Sequence, residues 1–472
     1  MKWMVEPEVR HRLIVLSDLE NEPDDSQSMV KLLTYANEVE IEGLIAVTSC
    51  WLRKEVYADT IRNMVQAYGI VRPNLVKHAD GWPTAEYLLD RVAGGQTDYG
   101  MCGVGDGKDS PGSELIIRAV DRDDPRPVYV AINAGANTLA QAIWKVSHTR
   151  TPQETEKFIR KLRVYDDSGQ DDSGAWMCHT FPDLFYIRSR AQVFGLLGPT
   201  CESGPQPWAP LDQWDWLEKN VRTRHGILGA LYPQRVFKER LYEFAEGGNS
   251  TTWFGLVNKG LYDPEQISWG GWGGRMSWKK EQVSAGQFQV DQLEKKYEPF
   301  LMYPQADDWS FEASDGESWN SFSGLKGELP YTVQTFAPLW RWRDGYVRDF
   351  AARMDWCVAE ANEANHPPRA VVWGDDSRGI IRAEVCAGES VQLDAAASYD
   401  PDGDALTCRW SDYPEAGSYG RRIEIQCADQ AKAGFTVPVD AAGTQIHVIL
   451  EVTDRSEIAP MTAYRRLVFD VY

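Results

Sequence analysis

Over the first 190 residues, short apolar runs alternate with stretches whose apolar positions recur at helical spacing. The runs at 12–17, 41–48, 74–78, 127–133, 161–166 and 183–187 predict buried strands. The segments between them, at 25–37, 52–68, 83–93, 112–121, 136–147 and 152–160, predict helices. Pro23-Asp24 marks the start of the first of these. Strictly alternating strands and helices predict an α/β fold, a mostly parallel sheet with helices on both faces.

That rhythm stops near residue 190. Residues 190–365 form a long insertion rich in Trp, Pro and Gly, with a strand candidate at 252–258 and helical segments near 280–298 and 340–364. These are expected to cap the carboxyl edge of the sheet and shape a pocket. The helical pattern ends at His366-Pro367-Pro368. Short alternating runs follow at 380–386, 390–394, 405–411, 421–426, 433–436, 445–452 and 464–471, which predict an all-β sandwich. The expected domains are therefore 8–365 and 369–472.

The most informative junction lies at the end of the first strand. The run Leu13-Ile14-Val15-Leu16-Ser17 gives way to Asp18, Glu20, Glu22, Asp24 and Asp25, five carboxylates within eight residues. Like charges at one strand end repel unless a cation or a reaction uses them. In an open α/β sheet the carboxyl ends of the strands are where ligands bind. The spacing D-x-[DE]-x-x-x-D-D thus points to a hard-oxygen metal site or to acid/base chemistry. A helix N-terminus favours acids and accounts for Asp24 and Asp25, but not for Asp18 at the end of a buried strand.

Bulk properties narrow the ligand. The chain has 472 residues and a formal charge of 49 − 70 = −21, which disfavours nucleic acid and anionic membranes as partners. A neutral ligand or a cation suits it better, although solubility alone explains much of the charge. No apolar stretch is long enough to span a bilayer. The first residues show no apolar leader, so the chain is expected to be secreted if a leader has been removed and otherwise cytoplasmic. Eight cysteines include no C-x-x-C pair, and Cys386, Cys408 and Cys427 in the C-terminal region leave both a disulfide and free thiols open. The 19 tryptophans are many. Trp269 and Trp272, set among glycines in Trp269-Gly270-Gly271-Trp272-Gly273-Gly274, suggest aromatic faces offered to a sugar ring, or a tight loop with aromatic packing. Gln170-Asp171-Asp172 follows a strand and is expected to face the same pocket, with Trp176 and His179 close behind. Gly105-Asp106-Gly107-Lys108-Asp109 fails as a phosphate loop, and there is no H-E-x-x-H helix and no G-x-S-x-G elbow.

The acidic junction resembles the D-x-D-P-G-x-D-D motif of nucleoside hydrolases, with Asp18, Glu20, Asp24 and Asp25 at matching positions and Asn21 and Glu22 replacing Pro and Gly. Asn133-Ala134-Gly135-Ala136-Asn137-Thr138-Leu139-Ala140 is similar to that family's strand-to-helix turn, and Tyr262-Asp263-Pro264 to its His-Asp-Pro segment, with Tyr262 in place of the His. A closer resemblance, covering most of the chain, is to a cellulose-binding protein family that joins a nucleoside-hydrolase-like domain to an immunoglobulin-like domain. Its carriers are the acidic junction, Gly135–Ala142, Asp171–Trp176 and Trp269–Arg275.

These resemblances imply a Ca2+ site made by Asp18, Asp25, Asp263 and the Asn133 carbonyl, with Asp18 as base and Glu20 and Asp24 as substrate-binding groups. Asp171, Asp172, His179 and Tyr262 are candidates for the acid; Trp176, Trp269 and Trp272 are candidates for sugar contacts. The implied function is calcium-dependent hydrolysis of a glycosidic bond, N- or O-linked. The alternative is carbohydrate binding without catalysis, and a partner-binding role of the β-sandwich is a third reading. A homo-oligomer is also an expectation.

Overall fold

The computed structural model describes residues 1–190, 192, 216–237, 240–242, 247–261, 263–285, 289–311 and 333–472. We label the first strands β1 (Lys2–Val5), β2 (Arg12–Ser17), β3 (Glu40–Ala46), β4 (Val92–Gly94), β5 (Val128–Ile132), β6 (Leu162–Asp167) and β7 (Phe185–Ser189). The main sheet has seven strands in the order Tyr303–Pro304, β7, β6, β5, β2, β3, β4. Every pairing in it is parallel. Leu13, Ile14, Val15 and Leu16 of β2 are buried on both faces, as a central parallel strand requires. The chain runs outward from β2 through β3 to β4, then returns to the other side of β2 at β5. The switch point therefore lies between the carboxyl ends of β2 and β5.

The C-terminal sheet has five strands, in the order β1, Ile381–Val385, Thr462–Val471, Gln445–Asp454, Leu406–Asp412. A two-stranded sheet, Ser390–Asp394 with Lys432–Thr436, packs on the same core of Val385, Val391, Leu393, Trp410, Phe435, Val448 and Phe469. The start of the chain is thus an edge strand of the C-terminal sheet, paired antiparallel with Ile381–Val385. Four residues, Lys-Trp-Met-Val, are too few for the pattern to announce a strand.

Several expectations change. Residues 74–78 are the end of the helix Ala58–Leu75 and the turn after it, not a strand, because Leu75 continues that helix's buried stripe of Ile61, Met64, Val65, Tyr68 and Val71. The run 252–258 is helical at Thr251–Phe254, with Trp253, Phe254, Leu256 and Val257 all buried; a short, wholly apolar run does not distinguish strand from buried helix. The segment 83–93 divides into the short helix Ala85–Leu89 and β4. Residues 421–426 form no strand. In the 280–298 segment the described helix is Val290–Glu294. Cys386, Cys408 and Cys427 are free thiols.

The two domains share a seam of buried polar and aromatic side chains. Arg466, fully buried, donates to the carbonyls of Leu261, Trp269 and Gly270, and its Nη1 meets His447 Nδ1 at 2.9 Å. Asp308 accepts from Arg275 at 2.6 Å and from the Tyr413 hydroxyl at 2.7 Å, and pairs with Arg341 at 2.9 Å. Gly260 (φ 81°) passes so close to the Tyr464 carbonyl that no side chain fits there.

Candidate functional site

The carboxyl ends of four adjacent strands converge at the switch point. Asp18 follows β2, Ser49 follows β3, Asn133 follows β5 and Asp167 ends β6. The loop after β2 turns through Glu20 in the left-handed region (φ 79°), and the helix Pro23–Thr34 then begins, placing Asp24 and Asp25 in its first turn. Asp18, Asp24, Asp25, Asn133 and Asp167 are all buried, Asp18 with only 3% of its surface exposed. The structure brings Asp18, Asp24 and Asp25 of the acidic junction close enough to act on one another's charge.

A hydrogen-bond frame fixes these groups. Asp25 Oδ1 accepts from the Ser17 hydroxyl and from the Asp18 backbone N–H, and its Oδ2 accepts from Asn249 Nδ2 at 2.6 Å. Asn133 Oδ1 accepts from the Thr252 hydroxyl at 2.7 Å, and the Asn133 carbonyl accepts from Gln170 Nε2 at 2.9 Å. Ser49 favours the charged form of the Asp18 carboxylate, whose Oδ2 is buried without a hydrogen-bond partner.

The electrostatics follow from crowding. Burial pushes Asp18 up to about 7; Ser49 opposes this and the charge of Asp24 adds to it. Asp25 is raised well above the usual carboxylate range by burial, then by Asp18 and Asp24. Asp167 is raised in the same way by burial, then by Asp24 and Asp166. The charges acting most strongly on these three groups are those of other aspartates. Asp18, Asp24 and Asp25 supply the hard oxygen donors that a divalent cation prefers, and one Asp18 oxygen is unpartnered, but among the described residues no group of three or more such side chains is arranged to hold a metal ion.

The remaining sequence candidates are placed elsewhere or used otherwise. Asp263 does not join the cluster. Its Oδ1 accepts from the Glu265 N–H, and Glu265 is tied to Tyr129 and Arg163 near the amino ends of β5 and β6, the opposite edge of the sheet. The polar group that faces Asp25 from the insertion is Asn249. Asp171 accepts from the Asn137 N–H at 3.1 Å and the Ser173 N–H at 2.8 Å, so it caps two helices, Asn137–Thr149 and Ser173–Thr180. Asp172 accepts from the Met101 N–H and pairs with Lys296. His179 is exposed, with Nδ1 at 3.1 Å from the Pro299 carbonyl.

Glu20 lies at the rim and accepts from the Thr60 hydroxyl at 2.6 Å. Trp176 packs edge-on against Phe181 beside the core. Trp269 and Trp272 are 3% and 2% exposed, the first against His447 and the second against Phe254, Tyr346 and Tyr464. They fill the seam between the domains and leave no ring face for a sugar. Tyr262 lies outside the described residues. Asn249, Thr252, Ser49 and Asp167 complete the site without having been marked in the sequence. Only Asp167, at the end of a predicted strand, gave a signal that could have found it.

Comparison with known proteins gives two family matches. Residues 12–276 match the model described as cellulose-binding Sde182, nucleoside hydrolase-like domain. Residues 390–471 match that of cellulose-binding protein Sde0182, C-terminal domain. A solved structure, described as a nucleoside hydrolase-related hypothetical protein from Saccharophagus degradans that is associated with carbohydrate metabolism, is 37% identical with a TM-score of 0.82. The match covers 98% of this chain and 100% of that one. No curated protein matches.

Proposed function

The chain belongs to the cellulose-binding Sde182 family with its nucleoside-hydrolase-like domain, and from that premise we propose that the aspartate cleft hydrolyses a glycosidic bond in a carbohydrate or glycoside. The observation that carries this reading is Asp18, a buried carboxyl with one unpartnered oxygen at the switch point of a parallel sheet. A cation such as Ca2+, held by Asp18, Asp24 and Asp25, would neutralise the cluster and anchor sugar hydroxyls.

The chain's own groups then divide the work. Asp18 Oδ2 takes the proton of the water that attacks the anomeric carbon, where an oxocarbenium-like transition state develops. Ser49 favours the charged form of that carboxylate. Asp167, kept protonated by burial, supplies the proton to the leaving group. Leu16, Ile132 and Asp166 are in register across β2, β5 and β6, so the strand ends carrying Asp18 and Asp167 are two strand spacings apart, about 10 Å.

A second reading, carbohydrate binding without turnover, is favoured by Asn249. It is a neutral amide facing Asp25, and Asp263 lies at the far edge of the sheet. The two readings separate in one experiment: product release, by mass spectrometry, from a panel of oligosaccharides and nucleosides with Ca2+ or chelator. Calcium-dependent products support hydrolysis and name the leaving-group class. Oligosaccharide binding with no product from any member supports the binding reading.

A further inference from the structure

We propose that His78 and His366 form a binding site for one shared proton, and that this proton clasps the two domains together. The site lies away from the aspartate cleft and stands whether or not the cleft is catalytic. His78 follows the helix Ala58–Leu75 of the first domain, His366 sits where the chain crosses to the second, and Asp402 lies in a turn of that second domain.

Three contacts join these residues in a row. His366 Nδ1 lies 3.0 Å from Asp402 Oδ1, His366 Nε2 lies 3.0 Å from His78 Nδ1, and His78 Nε2 lies 3.1 Å from the Ala359 carbonyl. The His366 backbone N–H donates to Asp402 Oδ2 at 2.7 Å and so fixes the carboxylate. Trp356 stacks on the His78 ring with the two planes 2° apart.

Each contact needs one proton. A carboxylate brings none and a neutral imidazole brings one, while the Ala359 carbonyl only accepts. Asp402, His366 and His78 therefore bring two protons to three contacts. With both rings neutral, the end contacts use both N–H groups and two lone pairs meet at 3.0 Å. One additional proton completes the row. Imidazole is more basic than a carboxylate, so the completed row is an imidazolium bonded to a neutral imidazole. A second additional proton would set N–H against N–H. Burial disfavours charge on His78, the Ala359 carbonyl favours it, and the charge of His366 disfavours it again. The pair therefore stops at one.

Both rings line a cavity of about 500 Å3 between the domains. Three cations of its wall are already matched: Lys259 pairs with Asp349, Arg353 with Asp349 and Glu38, and Arg378 with Glu8 and Glu38. Arg369, Asp376 and Asp80 are its other charged lining groups. Beside His78, Lys77 pairs with Glu360, and Arg353 lies 5.0 Å over the Trp356 ring. In the turn, Asp400 accepts from the backbone N–H groups of Asp402 and Asp404. These three acids favour the imidazolium. The folded chain thus keeps a proton that unfolded imidazoles release near about pH 6.5. The clasp's contribution to stability is present near about pH 6 and is lost as pH rises through the folded pair's value.

Asp402→Asn tests the count without removing a ring. Its amide N–H would donate to His366 Nδ1 and its amide oxygen would accept from the His366 backbone N–H, so all three contacts close with both rings neutral. Full-length protein labelled with 15N-histidine is titrated by NMR from pH 5.5 to 9.5, as wild type, Asp402→Asn and His78→Phe. The wild-type pair is expected to hold one proton at pH 7.5 and to release it about one pH unit or more above His366 in His78→Phe. In Asp402→Asn both rings are expected to be neutral at pH 7.5. Thermal melts should show Asp402→Asn gaining on the wild type as pH rises from 6 to 9, with the aspartate cleft common to both. If His78→Phe does not fold, wild type against Asp402→Asn decides alone. Two neutral rings in the wild type at pH 7.5, or the same titration in wild type and Asp402→Asn, would overturn the proposal.

Discussion

Asp18 carries opposing demands. Its buried position raises the free energy of the charged form, yet the proposed chemistry needs that form. Stability and activity are therefore expected to trade against each other at this residue. Asp18→Asn should lower turnover by about a thousandfold or more. In chelator at pH 8 it should also raise the melting temperature by about 2 °C or more, since it removes one charge from the cluster. A scanning-calorimetry trace beside an activity assay checks both. Asn249→Asp should act in the opposite sense, adding a carboxylate against Asp25. Calcium affinity, measured by titration calorimetry, is expected to rise about tenfold, while the calcium-free protein melts earlier. Asp18, Asp24 and Asp25 were legible in the sequence because five acids in eight residues are unusual at a strand end. Asn249 and Ser49 were not, because a single Asn or Ser in a polar loop carries no periodic or charge signal and acquires its role only through a partner far along the chain.

Among the elements, the parallel sheet was readable because central strands buried on both faces are largely continuous apolar runs, as in β2 and β5. The misreadings occurred where that rule loses force. Trp253, Phe254, Leu256 and Val257 are as apolar as a central strand but form a buried helix end that braces the cleft through Thr252. Asp171 shows the complementary problem, since its placement after β6 suggested an acid facing substrate, whereas the structure makes it the shared cap of two helix N-termini. Asp171→Ala is therefore expected to cost about 2 kcal/mol of stability, at the upper end for a cap because two helices depend on it. Urea unfolding measures that loss, and oligosaccharide affinity at a temperature where the variant is folded should match the wild type.

For the whole molecule, the seam matters as much as either core. Trp269, Trp272, Tyr413 and Tyr464 pack between the domains, and Arg466 ties three carbonyls of one to a strand of the other. Arg466→Ala would leave buried acceptors unpaired and is expected to destabilise by about 3 kcal/mol or more, seen in denaturant melts as an earlier transition. The glycine-rich tryptophan segment could not reveal this from sequence, because a residue's burial against a distant domain leaves no local pattern.

Stability should also depend on pH in a direction set by the cleft. Asp18 and Asp171 sit at about 7, Asp171 raised by burial and then by Asp172, and Asp25 and Asp167 are raised well above their usual range. These folded-state values exceed the unfolded ones, so between about pH 4 and 7 the folded chain holds more protons. In chelator the melting temperature should rise as pH falls from 8 toward 5, and saturating Ca2+ should flatten that rise. Further acidification removes stability again as ion-paired acids titrate. Glu38 is one of these: burial would raise it, but Arg378 and Arg353 hold it at about 2.

The most direct test of the cleft as a hydrolytic site is oxygen transfer from solvent. Wild-type protein and Asp18→Asn are incubated with a bound oligosaccharide in 18O-water and Ca2+, and the reducing-end products are weighed by mass spectrometry. The account predicts one solvent oxygen per cleaved bond from the wild type and essentially none from a folded, ligand-binding Asp18→Asn. Equal incorporation by the two proteins, or none by a wild type that binds the oligosaccharide, would contradict it.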